Sequence, residues 1–236
     1  MTHEIRERLG RVRDRIAQAA TRSGRRPEEI TLIAVTKTFD VQTIQQAVDA
    51  GAHDLGENRV QEALAKKPNI SGTGLRWHLI GNLQSNKARQ AAGAFDFIHS
   101  IDSTTLVDRL NRIAGELGRR PAVLIQVNVG HETTKSGIDE TDLQAVTEAV
   151  DHAANLDFRG LMAIPPFSDD VEQTRPYFRR LRQLLEDLNA KRPHERRLSD
   201  LSMGMSHDFE VAIEEGATMV RVGTAIFGAR AAGVTK

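Results

Sequence analysis

Short apolar runs alternate with amphipathic stretches along the chain. Eight runs predict strands, at residues 31–35, 53–56, 77–80, 95–101, 122–129, 158–164, 198–203 and 219–222. They are rich in Val, Ile, Leu and Phe and mostly continuous, the pattern of strands covered on both faces of a parallel sheet. Between them, apolar residues recur at helical spacing. Val41, Ile44, Ala47 and Val48 share a face that stops at Gly51, and Ser103 is placed to cap a helix carrying Leu106, Leu110 and Ile113. Leu143, Val146 and Val150 mark another helix. Pro176 opens one bearing Phe178, Leu181, Leu184, Leu185 and Leu188, while Val211, Ala212 and Ile213 form a short one before Gly216. Ahead of the first strand, Ile5, Leu9, Val12 and Ile16 make the stripe of an extra helix over about residues 2–22.

Strands alternating with helices imply parallel pairing through right-handed crossovers. Eight such units in 236 residues fit a (β/α)8 TIM barrel, although an open, doubly wound α/β sheet shares the same periodicity. No compositional break or Gly/Ser linker divides the chain, so 1–236 is expected to form a single domain. Lys and Arg number 32 against 32 Asp and Glu, which leaves no net field to attract nucleic acid or an acidic membrane surface. The basic clusters at Arg22, Arg25 and Arg26 and at Lys191, Arg192, Arg196 and Arg197 are diluted by acidic neighbours and read as solvated turns. No apolar stretch is long enough to span a bilayer, and the charged opening MTHEIRERLGRVRDR lacks the apolar core of a secretory signal, so a cytoplasmic location is expected. The absence of cysteine excludes disulfides, thiolate metal sites and cysteine nucleophiles, and the eight histidines show no zinc-ligand spacing.

In a barrel of this kind the reacting groups lie at the C-terminal ends of the strands. Those ends carry Thr36-Lys37-Thr38, Glu57-Asn58, Gly81-Asn82, Ser100 with Asp102, Asn128, Pro165-Pro166, Met205-Ser206 and Arg221 to Thr224. Lys37 directly follows an apolar strand, where desolvation disfavours its charged form and favours an amine able to form a Schiff base. A lysine snorkelling from a strand end is the alternative. Loops after the seventh and eighth strands are the recurrent phosphate site of these barrels. Here they read Ser202-Met203-Gly204-Met205-Ser206 and Arg221-Val222-Gly223-Thr224-Ala225. Ser206 and Thr224 offer hydroxyls, Gly223 admits a close backbone approach, and a turn over residues 224–229 aims N–H groups at an anion. Asp208 beside them is expected to complement a helix dipole. A lysine facing such a cradle across the opening suits a phosphate-bearing carbonyl compound, of which pyridoxal 5′-phosphate (PLP) is the obvious cofactor.

The motifs IAVTKT, GENRVQE, WHLIGNLQSNK, IQVNVGHETTKSG, GLMAIP, LSMGMSHDFEVAI and VRVGTAIFG closely resemble the YggS/PROSC family, the pyridoxal phosphate homeostasis proteins. The resemblance runs from about Ile30 to Arg230. It implies a single barrel of PLP fold type III, related to the N-terminal domain of alanine racemase, that binds PLP and influences vitamin B6 balance with no established catalytic activity. It further implies that Lys37 holds PLP as a Schiff base and that Ser206, Gly223 and Thr224 hold the phosphate; Met205, in the same loop as Ser206, is a further candidate for the cofactor site. Arg221 would face the pyridine nitrogen, and Asn58 and His78 would line the mouth. Phe39 stands where a second lysine often occurs, Thr36 where serine is common, and Arg59 where tyrosine is frequent.

An arginine opposite the ring nitrogen disfavours its protonation and weakens the ring as an electron sink. Racemisation also needs an acid/base on each face of the substrate carbon, and the only tyrosine, Tyr177, falls on the helix after strand six. The chain also ends at Lys236, just past the eighth unit, without the racemase's second domain. The expectation is therefore a monomeric PLP carrier that stores the cofactor or supplies it to apoenzymes, with no catalytic residues of its own. The alternatives are a PLP-dependent amino-acid racemase and a barrel enzyme acting on a sugar phosphate.

Overall fold

The computed structural model describes residues 2–132 and 136–228. Eight parallel strands close on themselves in sequence order: β1 (Thr31–Val35), β2 (Asp54–Glu57), β3 (Arg76–Leu79), β4 (Phe97–Ile101), β5 (Ala122–Gln126), β6 (Asp157–Met162), β7 (Asp200–Met205) and β8 (Met219–Val222). Pairing of β8 with β1, Ala34 opposite Val222 and Ile33 opposite Arg221, closes the ring and excludes the open sheet. The barrel expected from the alternation is the barrel found. Strand bounds differ from the apolar runs by a few residues, since a run also includes apolar positions in the flanking turns. Residue 95 caps a helix instead of opening β4, and β5 stops at Gln126, beyond which Val127 makes only an isolated bridge to Ile138.

The helices are α1 (Thr2–Arg22), α2 (Val41–Asp49), α3 (Val60–Lys66), α4 (Ala88–Ala94), α5 (Thr104–Glu116), α6 (Leu143–Asp151), α7 (Arg175–Ala190), α8 (Phe209–Glu214) and α9 (Thr224–Phe227). Ser103 caps α5 as its position foretells, its Oγ accepting the Leu106 N–H at 3.3 Å, and α7 begins one residue before Pro176. The periodicity does not reveal α3 and α4. Each has seven residues, too few to establish a period, and both are alanine-containing segments held by packing instead of by propensity. Ile5, Leu9, Val12 and Ile16 are buried, and α1 packs against α2, α8 and α9. The turn expected over 224–229 ends at Ala229, which lies outside the described residues, as do Thr133, Thr134 and Lys135 of the IQVNVGHETTKSG motif.

Strand side chains alternate between two compartments. Leu55, Trp77, Leu79, Ile98, Val123, Ile125 and Leu161 join the helices in the apolar layer outside the sheet. The inner face is different. His99 of β4 meets Ser202 of β7 at 2.9 Å, a contact that strands on opposite sides of the ring can make only through the barrel interior. Among the described residues, no helix is long and apolar enough to cross a membrane.

Candidate functional site

Lys37 sits half-buried in the turn that leaves β1. Its neighbour Thr38 adopts a left-handed backbone, φ 69°, which is strained for a β-branched residue by about 1–3 kcal/mol. The turn persists because a buried cluster behind it fixes its backbone. Lys66, at the end of α3, donates through Nζ to the Thr36 carbonyl at 2.8 Å, to Glu57 Oε1 at 2.8 Å and to Glu62 Oε1 at 2.6 Å. Glu62 also accepts the Thr38 N–H, and Thr36 Oγ1 donates to Glu57 Oε1 at 2.6 Å. Burial pushes the Glu57 carboxyl up, against the pull of Lys66 and Thr36, and its Oε2 is buried without a hydrogen-bond partner. Glu62 is held below the usual carboxylate range: burial opposes this, but hydrogen bonds from Lys66 and Thr38 outweigh it.

The loops after β7 and β8 meet beside this turn. Because β8 adjoins β1, the cradle lies next to Lys37 and not across the opening. Ser206 Oγ accepts the N–H of Gly223 at 3.1 Å and that of Ala225 at 3.4 Å, so hydroxyl and amides already converge at the start of α9, where Thr224 is exposed. A Cβ at Gly223 would press against Val35 at 3.4 Å. Gly204 has φ +91°, and a Cβ there would lie 2.6 Å from that of Ala212, so the β7 end admits glycine alone. Met205 is half-buried and its N–H donates to Asp208 Oδ1 at 2.7 Å. Asp208 therefore closes the turn around Ser206; it stands at the N-cap of α8, the helix start expected of it, and its side chain makes no capping bond there.

Arg221 lies below the cradle, 3% exposed, with Nη1 donating to Ser202 Oγ at 2.6 Å and Nη2 to the Ala163 carbonyl at 2.9 Å. Burial lowers its pKa to about 10, against the attraction of Asp208. Asn58 is half-buried at the end of β2. His78 differs from its expected place at the mouth: it is fully buried inside the barrel, bonded to Asp54 Oδ1 at 2.8 Å and to His99 Nε2 at 3.0 Å and stacked on Phe97. An inward position within a short parallel strand puts a side chain in the barrel core, as here, where the ring faces Asp54 and His99. Tyr177 packs against the outer core from α7, and His207 bonds the Ser168 carbonyl through Nε2 at 2.8 Å beside the Phe167 ring.

Sequence reasoning did not single out Asp54, His99, Ser202, Glu62 or Lys66. A signal was present for the first three. Each is a polar residue on a buried strand of a parallel sheet, where a buried polar group demands a partner. Lys66 and Glu62 carry the spacing of an ordinary exposed helical pair, which hides their burial.

Two outcomes follow from these contacts. Lys66→Met leaves two carboxylates buried or half-buried without their cation, and is expected to lower the free energy of unfolding by about 3–5 kcal/mol, with Glu57→Gln in that background recovering part of the loss. Urea unfolding measures both. Burial pushes His99 well below its ordinary 6.5, with His78 and Arg221 adding repulsion, and burial also lowers His78 against the pull of Asp54. Folded-state values below the unfolded ones mean that stability is fully present above 6.5 and is lost as the pH falls below it. The urea midpoint should drop between about pH 7 and about pH 5, at up to about 1.4 kcal/mol per ring per pH unit, and His99→Gln should flatten the slope.

The family model of the alanine racemase N-terminal domain matches residues 8–231. The pyridoxal phosphate homeostasis protein of Escherichia coli (strain K12) is 46% identical, with 97% of each chain covered, and that of Aquifex aeolicus (strain VF5) is 44% identical over 95% of this chain and 97% of the relative. The structure of PipY from Synechococcus elongatus PCC7942 with PLP bound superimposes with a TM-score of 0.83 at 42% identity, covering 95% of this chain and 100% of PipY. The chain belongs to the alanine racemase N-terminal domain family, among the pyridoxal phosphate homeostasis proteins.

Proposed function

We propose that this chain binds PLP in the barrel mouth as one cofactor-binding domain and serves PLP homeostasis by carrying or supplying the cofactor without turnover of its own. The observation that carries this reading is the adjacency of Lys37, at the end of β1, to the Ser206–Gly223–Ala225 cluster at the end of β8, with the buried Arg221 below. The donor set fits the group. Ser206, Gly223 and Thr224 offer hydroxyls and amides to a phosphate, with Met205 beside them. Lys37 offers the amine that anchors an aldehyde, and Asn58 borders the opening. Arg221 gives one hydrogen of Nη1 to Ser202 and one of Nη2 to Ala163, and its Nε–H is among the donors that remain for an acceptor such as a pyridine nitrogen. His78, sealed below, does not reach the mouth. Bound PLP supplies an aldehyde that condenses with amines and a ring that withdraws electrons from them.

The protein's own groups favour retention over reaction. A guanidinium donor opposes protonation of the ring nitrogen, so Arg221 limits the electron-sink strength of the site. Two-sided proton transfer needs a second acid/base above the mouth, and Tyr177 is committed to packing while His207 is committed to the Ser168 carbonyl. The racemase reading rests on the family's name and lacks such a group among these candidates. We further infer a cytoplasmic monomer that delivers PLP to apoenzymes, consistent with the balanced charge and the lack of cysteine.

The purified protein is expected to be yellow, and borohydride reduction followed by peptide mapping should place the pyridoxyl group on Lys37; a label on any other residue overturns the assignment. Lys37→Ala should abolish the colour, and Ser206→Ala with Thr224→Ala should release the cofactor at least several-fold faster while the far-UV circular dichroism is unchanged. Incubated with L-alanine in heavy water, the loaded protein should exchange no Cα hydrogen. Rapid exchange with loss of stereochemistry would instead establish the racemase.

A further inference from the structure

The barrel interior holds a continuous row of polar groups whose proton positions can be deduced. Arginine has donors only, so Ser202 Oγ accepts from Arg221 Nη1 at 2.6 Å. Ser202 is fully buried, and among the described residues its Oγ meets Arg221 and His99 Nδ1. The hydroxyl hydrogen therefore points to His99 Nδ1, at 2.9 Å. A neutral imidazole that accepts at Nδ1 carries its hydrogen on Nε2, which donates to His78 Nδ1 at 3.0 Å. His78 in turn donates from Nε2 to Asp54 Oδ1 at 2.8 Å, with its ring held by Phe97 at a centroid distance of 4.5 Å and an interplanar angle of 11°. Asp54 ends the row as an acceptor, and it also receives Arg76 Nη2 on Oδ2 at 2.9 Å. Reversed, the row would aim the His78 lone pair at a carboxylate and leave the Ser202 hydrogen without an acceptor. Only one direction satisfies every group.

We propose that Asp54, His78, His99 and Ser202 form a one-way hydrogen-bonded relay that positions Arg221, fixing its Nη groups through neutral partners so that its Nε–H and its charge are presented to the barrel mouth. A carboxylate in direct contact would take the guanidinium in a two-pronged grip and turn it away from the opening. Two neutral rings and a hydroxyl carry the polarity of Asp54 across the barrel while avoiding that grip. The groups facing the row agree: burial drives both rings toward neutrality, and hydrogen bonds from His78 and Arg76 hold Asp54 ionised although burial opposes this. The role of the presented Nε–H rests on the reading of Arg221 given above; the proton directions and the hold on Arg221 do not.

Nitrogen-15 NMR of the unloaded protein tests the relay without the cofactor. Both rings should show a protonated Nε2 and a bare Nδ1, unchanged between about pH 6 and about pH 8. An Nδ1–H form or an imidazolium at either position overturns the proposal. The Arg221 Nε–H resonance should shift in Asp54→Asn, which keeps the acceptor and removes only the charge. It should broaden or exchange at least ten-fold faster in His99→Leu, and return toward its original position in His99→Gln, whose amide can accept from Ser202 and donate to His78. An Arg221 resonance indifferent to Asp54→Asn and His99→Leu reduces the row to core filling and refutes positioning. In the PLP-loaded protein, the visible band should shift in His99→Leu with the pyridoxyl label still on Lys37. If Lys37 takes no cofactor, the functional reading fails and the Arg221 resonance alone decides the relay.

Discussion

A guanidinium buried in the middle of a barrel is the constraint from which much of this structure follows. Arg221 occupies a place that an aliphatic side chain would fill in an ordinary barrel core, and it keeps its charge there. Burying an unpaired ion costs several kcal/mol, so its surroundings must supply acceptors. They do so from four strands: Ser202 from β7, the Ala163 carbonyl just past β6, and behind them the imidazoles of β4 and β3. The apolar work of holding the domain together is left to the layer between sheet and helices, where Leu55, Ile98, Ile125 and Leu161 pack. Stability and chemistry thus occupy opposite faces of the same strands.

The mouth is stiffened from outside by the same division. The strained turn that carries Lys37 is held from behind by polar groups: the helix after β2 reaches over with a lysine and a glutamate that bond its backbone. On the other side, one serine hydroxyl ties the β7 loop to the amides that follow β8. The aromatic pair Phe39 and Phe227, 4.7 Å apart, joins the segment after Lys37 to the end of α9. Phe39, where relatives often carry a second lysine, thus joins the turn after β1 to the helix after β8.

The barrel itself was legible in the chain because parallel strands and their covering helices impose two distinct periods, and each of the eight strands overlaps an apolar run. Lys37, Asn58 and Gly223 fall within two residues of the ends of those runs, so their place at the strand ends was legible. What stayed hidden depended on third partners. Lys66 and Glu62 look like any exposed pair four apart until Glu57 and the Thr36 carbonyl arrive from β2 and β1. His78 and His99 are 21 residues apart, and their contact depends on the inward register of neighbouring strands, which an apolar run of uncertain bounds does not specify. A slip of one position would have turned both rings outward. The side-by-side arrangement of Lys37 and Gly223 likewise depends on closure, since the first and last strands become neighbours only when the ring is complete.

Trp77 is the chain's sole indole, fixed and buried on β3, with the Lys67 ammonium 5.8 Å from its ring. Rigid burial on the wall of the barrel makes it a built-in emitter. Any violet-absorbing heterocycle lodged in the opening would drain its fluorescence by energy transfer. Loading and unloading could then be followed in real time on unlabelled protein, with no second emitter of the same kind to confuse the signal.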